Sequence, residues 1–207
     1  MRDFIQNEIK KLFSILMHIQ QDTALLDTVA AIAERCTKAL EQGKKMIFLG
    51  NGGSAADAQH LAAELVSRLC YNRPALAAIA LTTDTSALTA IANDYGFEWL
   101  FSRQIEAIAQ EGDVLIAIST SGKSPNVLHA INTARNKKLI TVGFTGAEAP
   151  LMAKCCDLVL NIPSKETQKI QECHITLGHI ICGLIEDAIF GVDYNPLKKV
   201  ANNITQI

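Results

Sequence analysis

Apolar side chains recur at helical spacing over the first 42 residues. Ile5, Ile9, Leu12, Leu16 and Ile19 follow alternating steps of four and three, which gathers them on one helical face. The stripe breaks near Gln21-Asp22 and resumes with Leu25, Val29, Ile32 and Leu40, so two helices are predicted, with Asp22 as N-cap of the second. The period then changes. Lys45-Met46-Ile47-Phe48-Leu49 is a short, mostly apolar run closed by Gly50, as expected of a strand buried on both faces. Similar runs follow at 77–81, 114–118, 140–144 and 158–162. Amphipathic segments at about 54–70, at 85–110 with an interruption, and at 124–137 separate most of them, and a long last helix is predicted over 166–190. This alternation predicts an α/β fold: a five-stranded parallel sheet flanked by helices in three Rossmann-like layers. The boundaries expected are a helical extension at 1–42, one sheet domain at 43–192, and a tail at 193–207. The tail, with Pro196 and Asn202-Asn203, reads as weakly ordered or as a short packing arm.

Composition adds one question to this picture. Hydrophobic residues make up 49%, charged residues 19%, and the mean hydropathy is +0.17, which is apolar for a soluble monomer. A well-filled core accounts for that; so does an oligomer that buries apolar helix faces, the reading favoured here. A net charge of −2 and a pI near 6.2 leave no electrostatic footprint for nucleic acid. No apolar run approaches the roughly 18 residues of a membrane span, and MRDFIQNEIKKLF mixes charge into its apolar positions, unlike a secretory signal. A cytoplasmic protein with no membrane partner is expected. The six cysteines contain no CxxC pair and read as small buried hydrophobes kept reduced.

Two strand ends lead into loops suited to a phosphate. The run 45–49 opens into Gly50-Asn51-Gly52-Gly53-Ser54 and then a helix. Glycines there allow positive φ and close approach to main-chain N–H groups, and the helix N-terminus adds partial positive charge. The loop is neither a GxGxxG fingerprint nor a Walker A motif, and no acidic residue ends the next strand, which argues against a dinucleotide. The second loop, Ser119-Thr120-Ser121-Gly122-Lys123-Ser124, precedes a helix opening at Pro125. One hydroxyl would suffice for a helix cap; four exceed that need and favour a phosphate monoester.

His60 and Glu64 are four apart and share a helical face. They could be an ordinary surface pair. The positions around them (Ala55, Ala56, Ala58, Leu61, Ala62, Ala63, Leu65, Val66) are apolar, however, which predicts a helix buried on most sides, where a carboxylate needs a partner or a task. On the last helix, Gln171 and His179 lie on one half of the surface but about 12 Å apart along the axis, far for one metal ion. His174 points elsewhere and suits core or interface packing. A zinc site from His60, Glu64 and His179 is chemically reasonable but weakly specified by spacing.

Together, GNGGSAADAQH, Ala92-Asn93-Asp94-Tyr95-Gly96-Phe97, STSGKSPNV, and Lys169-Ile170-Gln171-Glu172 with the later His179 resemble the sugar isomerase (SIS) family, and within it the phosphoheptose isomerases, over about residues 3–190. The resemblance implies an aldose–ketose isomerase that converts sedoheptulose 7-phosphate to a glycero-manno-heptose 7-phosphate through an enediol. That reaction is the first step toward nucleotide-activated heptose for lipopolysaccharide core, capsule or another product. The resemblance further implies a homotetramer with interfacial active sites, in which Gln171 and His179 meet His60 and Glu64. By matching positions, Asn51, Gly52, Gly53, Ser54, Glu64, Asn93, Asp94, Ser119, Thr120, Ser121, Ser124 and Gln171 would contact substrate. His60, Glu64, Gln171 and His179 would bind one zinc ion per subunit, and Glu64 with His179 would form the acid/base pair. Lys123 stands where a neutral residue is expected, either contacting phosphate or facing solvent. The alternative is a non-enzymatic SIS protein of the kind that binds a replication initiator; against it stand the intact GNGGS and STSGKS loops and Glu64.

Overall fold

A computed structural model describes residues 1–194. Helices α1 (Arg2–Gln21) and α2 (Thr23–Glu41) meet at Asp22, whose carboxylate accepts the Leu25 N–H at 3.1 Å and caps α2 as expected. Next come β1 (Met46–Gly50), α3 (Gly53–Val66), β2 (Ala78–Ala80) and α4 (Thr85–Asp94), then a 3-10 turn at Phe97–Trp99 and α5 (Ser102–Ile108). The chain continues through β3 (Val114–Ile118), α6 (Pro125–Asn136), β4 (Ile140–Thr145), α7 (Pro150–Cys155), β5 (Leu158–Asn161) and α8 (Thr167–Tyr194). All strand pairs are parallel, in the order β2-β1-β3-β4-β5.

The sheet's two faces divide the core by the two-residue period of a strand. Met46, Phe48, Val114, Ile116, Ile118, Val142 and Phe144 face one way and pack with α2, α3 and α8. Ile47, Leu49, Leu115 and Ala117 face the other way and pack with α5, α6 and α7. Both layers are apolar, which is why the strands read as continuous hydrophobic runs rather than alternating ones.

Several expected boundaries move. The helix expected to reach residue 70 ends at Val66, and α8 runs on to Tyr194. The short α7, opened by Pro150, was hidden because six residues carry too little periodicity to detect. Of the expected tail, Asp193 and Tyr194 belong to α8, and 195–207 lie outside the described residues. Helix α3 is not buried on most sides: Ser54, Ala58, Leu61, Ala62 and Leu65 face inward, while Ala56, Ala63 and Val66 are exposed in the single chain. In α1, Leu12, Leu16 and Ile19 pack on the core, but Phe4, Ile5, Ile9 and Phe13 are exposed. Helix α8 is long and apolar enough by composition to cross a membrane, yet it lies against α2 and α3 and contains the fully buried His174 and Glu186.

Candidate functional site

Between β1 and β3 the strand order reverses direction, since β2 lies on one side of β1 and β3 on the other. Connections leaving the carboxyl ends of these neighbours diverge, and the crevice between them is where open parallel sheets take ligands. The two loops singled out by sequence emerge at this point. Gly52 has φ +56° and turns the chain into α3, a conformation that side chains other than glycine rarely adopt. Asn51 is exchanged with Asn126 on α6 in a reciprocal amide pair, with Asn51 Nδ2 donating at 2.9 Å and Asn126 Nδ2 at 2.8 Å. The pair ties the two loops together. Asn126 was in a motif read from the sequence but given no task there; its partner is 75 residues away and invisible to periodicity.

In the serine loop, Ser124 occupies the N-cap of α6 but makes no side-chain capping bond; its hydroxyl meets that of Ser119 at 3.1 Å. The simple capping explanation for these hydroxyls therefore fails. Thr120 and Ser121 line a small pocket with Lys123, Ser164, Lys165 and Thr167, so the first turn of α8 joins the α6 N-terminus beside it. Ser164, Lys165 and Thr167 carried no sequence signal beyond a polar stretch before a helix. Lys123 is exposed on the pocket rim, and with Lys165 it helps hold the Glu148 carboxyl below its usual range, Lys165 being the larger influence. A second pocket, lined by Asn51, Phe97, Glu98, Ser124, Asn126 and His129, adjoins the glycine loop.

Helices α3 and α8 run parallel in contact. At one end the amide of Gln171 lies so close to Gly53 that a Cβ there would sit 2.7 Å from both Oε1 and Nε2. Seven residues on, His60 Nε2 lies 2.8 Å from His179 Nε2 and 3.1 Å from Glu64 Oε1. Gly178 allows this approach, because a Cβ there would meet Leu61 at 2.7 Å. His60, Glu64 and His179 together form a group able to hold a metal ion. The expectation that these partners meet only in an oligomer is thereby corrected: one chain brings His179 to His60 and Glu64. The spacing of about 12 Å on α8 holds for Gln171, while α3, running alongside in the same direction, brings His60 and Glu64 to His179. Gln171 belongs with the glycine loop, about 12 Å of helix from His179.

Asp57, one turn before His60, is a further member that the sequence reading passed over. Burial pushes its carboxyl up, the nearby His60 opposes that, and Oδ2 is buried without a hydrogen-bond partner. Its i, i+3 spacing to His60 was the available signal. His174 is a core residue: Nε2 lies 3.2 Å from the Thr145 carbonyl, and burial lowers its pKa to about 4. Asn93 and Asp94 lie exposed at the end of α4, hydrogen-bonded to each other at 2.8 Å, and line neither loop pocket.

Comparison with known proteins agrees with this geometry. Residues 9–146 match the SIS domain. The phosphoheptose isomerase of Burkholderia pseudomallei (strain K96243) is 54% identical over 188 residues, covering 91% of this chain and 95% of that protein. That of Aneurinibacillus thermoaerophilus is 50% identical over 190 residues, covering 92% and 96%. Among solved structures, phosphoheptose isomerase GmhA from Neisseria gonorrhoeae superimposes with a TM-score of 0.84 at 39% identity, covering 90% of this chain and 98% of that one. A phosphoheptose isomerase from Francisella tularensis gives 0.85 at 32% identity, covering 89% and 97%. The non-enzymatic alternative is not favoured by these relatives. With the five-stranded parallel sheet, the two loops at its switch point and relatives of this closeness, the chain belongs to the SIS-domain family and, within it, to the phosphoheptose isomerases.

Proposed function

We propose that the chain interconverts sedoheptulose 7-phosphate and D-glycero-D-manno-heptose 7-phosphate, at the head of nucleotide-activated heptose synthesis. The observation that carries the reading is the placement of a carboxylate and two imidazoles about two helical turns from the glycine loop, along one seam between α3 and α8, with the hydroxyl-rich loop tied to that glycine loop through the Asn51–Asn126 pair. That arrangement suits an open-chain sugar with phosphate at one end and carbonyl at the other. The phosphate would sit among Ser119, Thr120, Ser121 and Ser124, beside Lys123 and two helix N-termini, with Ser54 and the main chain of Gly52 and Gly53 nearby. Asn51 and Gln171 would hold the middle of the chain.

In the ketose-to-aldose direction, Glu64 takes the proton from C1 and returns it to C2, while His179 Nε2 moves the hydroxyl proton from O1 to O2. The enediol between these transfers carries charge on oxygen, which must be met by fixed donors. His60, Glu64 and His179 offer two nitrogens and one oxygen, a donor set that suits zinc, and Gln171, held at the glycine loop, stands apart from it. Bound there, zinc would polarise the carbonyl.

A homotetramer is supported by the apolar surface left on a single chain: Phe4, Ile9 and Phe13 on α1, Ile180 and Leu184 on α8, and Phe97 and Trp99 near the second pocket. Helix α4 buries no residue of its own, so an adjoining subunit is the natural route by which Asn93 and Asp94 would approach a substrate. A cytoplasmic location accords with this sugar-phosphate chemistry. The test is an isomerisation assay on five-, six- and seven-carbon ketose phosphates, run with and without a chelator. Turnover confined to the seven-carbon substrate and abolished by chelation is expected; turnover of other substrates only would refute the assignment.

A further inference from the structure

Arg73 and Glu186 form an ion pair in which both side chains are fully buried, Nε to Oε1 at 3.3 Å. Such a pair is a poor source of stability, because desolvation offsets much of its attraction. What its hydrogen bonds hold is more informative. Arg73 Nη2 donates to the carbonyl of Glu64 at 2.8 Å, and Nη1 donates to that of Leu65 at 2.7 Å. These are carbonyls of the last turn of α3, which lack partners inside the helix and carry the negative end of its dipole. On the other side, Glu186 Oε2 accepts the Cys70 N–H at 3.0 Å, and the Glu186 carbonyl accepts the Tyr71 hydroxyl at 3.0 Å. Glu186 lies seven residues after His179, on the same face of α8.

We propose that Arg73 and Glu186 are positioning residues for the His60–Glu64–His179 group, and that they fix how far α3 slides along α8. The inference rests on the reading of that group as the catalytic and metal-binding site. Beside the group, the two helices touch through the Leu61 side chain against Gly178, and Cys182 Sγ makes one long, weak hydrogen bond to the Leu61 carbonyl at 4.0 Å. Apolar contact is non-directional and resists sliding weakly. A planar guanidinium bonded to two successive carbonyls is directional and sets a register. One of those carbonyls belongs to Glu64 itself, so a slip there moves the carboxylate relative to His179 Nε2. The serine loop hangs from β3 and α6, outside this linkage. Loss of the pair therefore affects the chemical step and the metal, not phosphate binding.

The test compares the parent with Arg73→Lys, Glu186→Gln and the double variant Arg73→Met/Glu186→Leu. The double variant replaces the pair with apolar volume, a change that buried pairs often tolerate. Melting temperature, kcat and KM for sedoheptulose 7-phosphate, and Co²⁺ affinity measured against a competing chelator are read for each. The double variant is expected to stay folded, with kcat down about 10- to 100-fold, KM within about threefold and Co²⁺ bound about tenfold more weakly. Arg73→Lys, which keeps the charge and a donor nitrogen but not the planar fork, is expected to recover part of both losses. A folded double variant with parental kcat and Co²⁺ affinity overturns the proposal. So does failure of all three variants to fold, or a loss of kcat and KM that only follows melting temperature, since either makes the pair structural. If the parent itself does not turn over the heptulose phosphate, the functional reading fails separately, and Co²⁺ affinity still decides the positioning claim.

Discussion

Gly53→Ala separates the stability of α3 from the alignment of its site. Gly53 is the first residue of α3, and its φ is not in the left-handed region, so alanine suits the backbone. Alanine also reduces the freedom of the unfolded chain, and the expected gain is about 0.5 kcal/mol, or about 1–2 °C for a domain of this size. The new Cβ, however, would lie 2.7 Å from both amide atoms of Gln171, where ordinary contact begins at 3.4 Å. Gln171 must therefore retreat by about 0.7 Å or turn away, at the end of the seam where the sugar chain would lie. Displacements approaching 1 Å in a positioned site can cost about 100-fold, so kcat/KM should fall about 10- to 100-fold, equivalent to about 1.4–2.7 kcal/mol. Steady-state kinetics on sedoheptulose 7-phosphate and a thermal melt of the same preparation supply both readings. A kcat/KM within twofold of the parent would refute the reasoning, and so would a melting temperature lowered in step with activity.

Glu64→Gln should abolish turnover while calorimetric affinity for the heptulose phosphate changes only a few-fold; retention of a tenth of the parental rate would sink its assignment as base. Ser121→Ala combined with Ser124→Ala should raise KM at least about tenfold with a smaller change in kcat, since hydrogen bonds to a charged group contribute about 1.5–3 kcal/mol each. Unchanged KM would move the phosphate elsewhere. Burial holds the His174 ring neutral, with its pKa lowered to about 4 from an ordinary 6.5. The unfolded chain thus binds the extra proton first, so the contribution is full above about pH 6.5 and is lost as pH falls toward 4, by about 3 kcal/mol. Denaturant midpoints measured across that window should slope for the parent and flatten for His174→Gln; equal slopes would show that another group titrates.

The strands were legible because each is buried on both faces, so Met46–Gly50 and Val114–Ile118 appear as unbroken apolar runs. The Asp22 cap was equally plain, being a local bond between residues three apart. Residues whose task depends on distant partners left no such trace. Asn126 and Asn51 look like ordinary polar residues until the loops meet. Arg73 lies in a stretch with no clear period, and its partner Glu186 is 113 residues away. The Gln171–His179 spacing correctly kept those two side chains apart, but one helix considered alone cannot reveal the parallel neighbour that brings His60 and Glu64 to His179.

The sequence by itself determined the layer architecture, the glycine and serine loops, and the pairing of His60 with Glu64, since each follows from periodicity or from contacts within one helical turn. Only the tertiary structure decided that His179 joins that pair within one chain, that Gln171 stays with the glycine loop, and that Arg73 and Glu186 bind the two helices together. Those facts depend on the direction and register in which α3 meets α8. Close approach is permitted by Gly178 against Leu61, and register is set by buried directional bonds between residues far apart in the chain, which hydrophobic patterning along the chain does not encode.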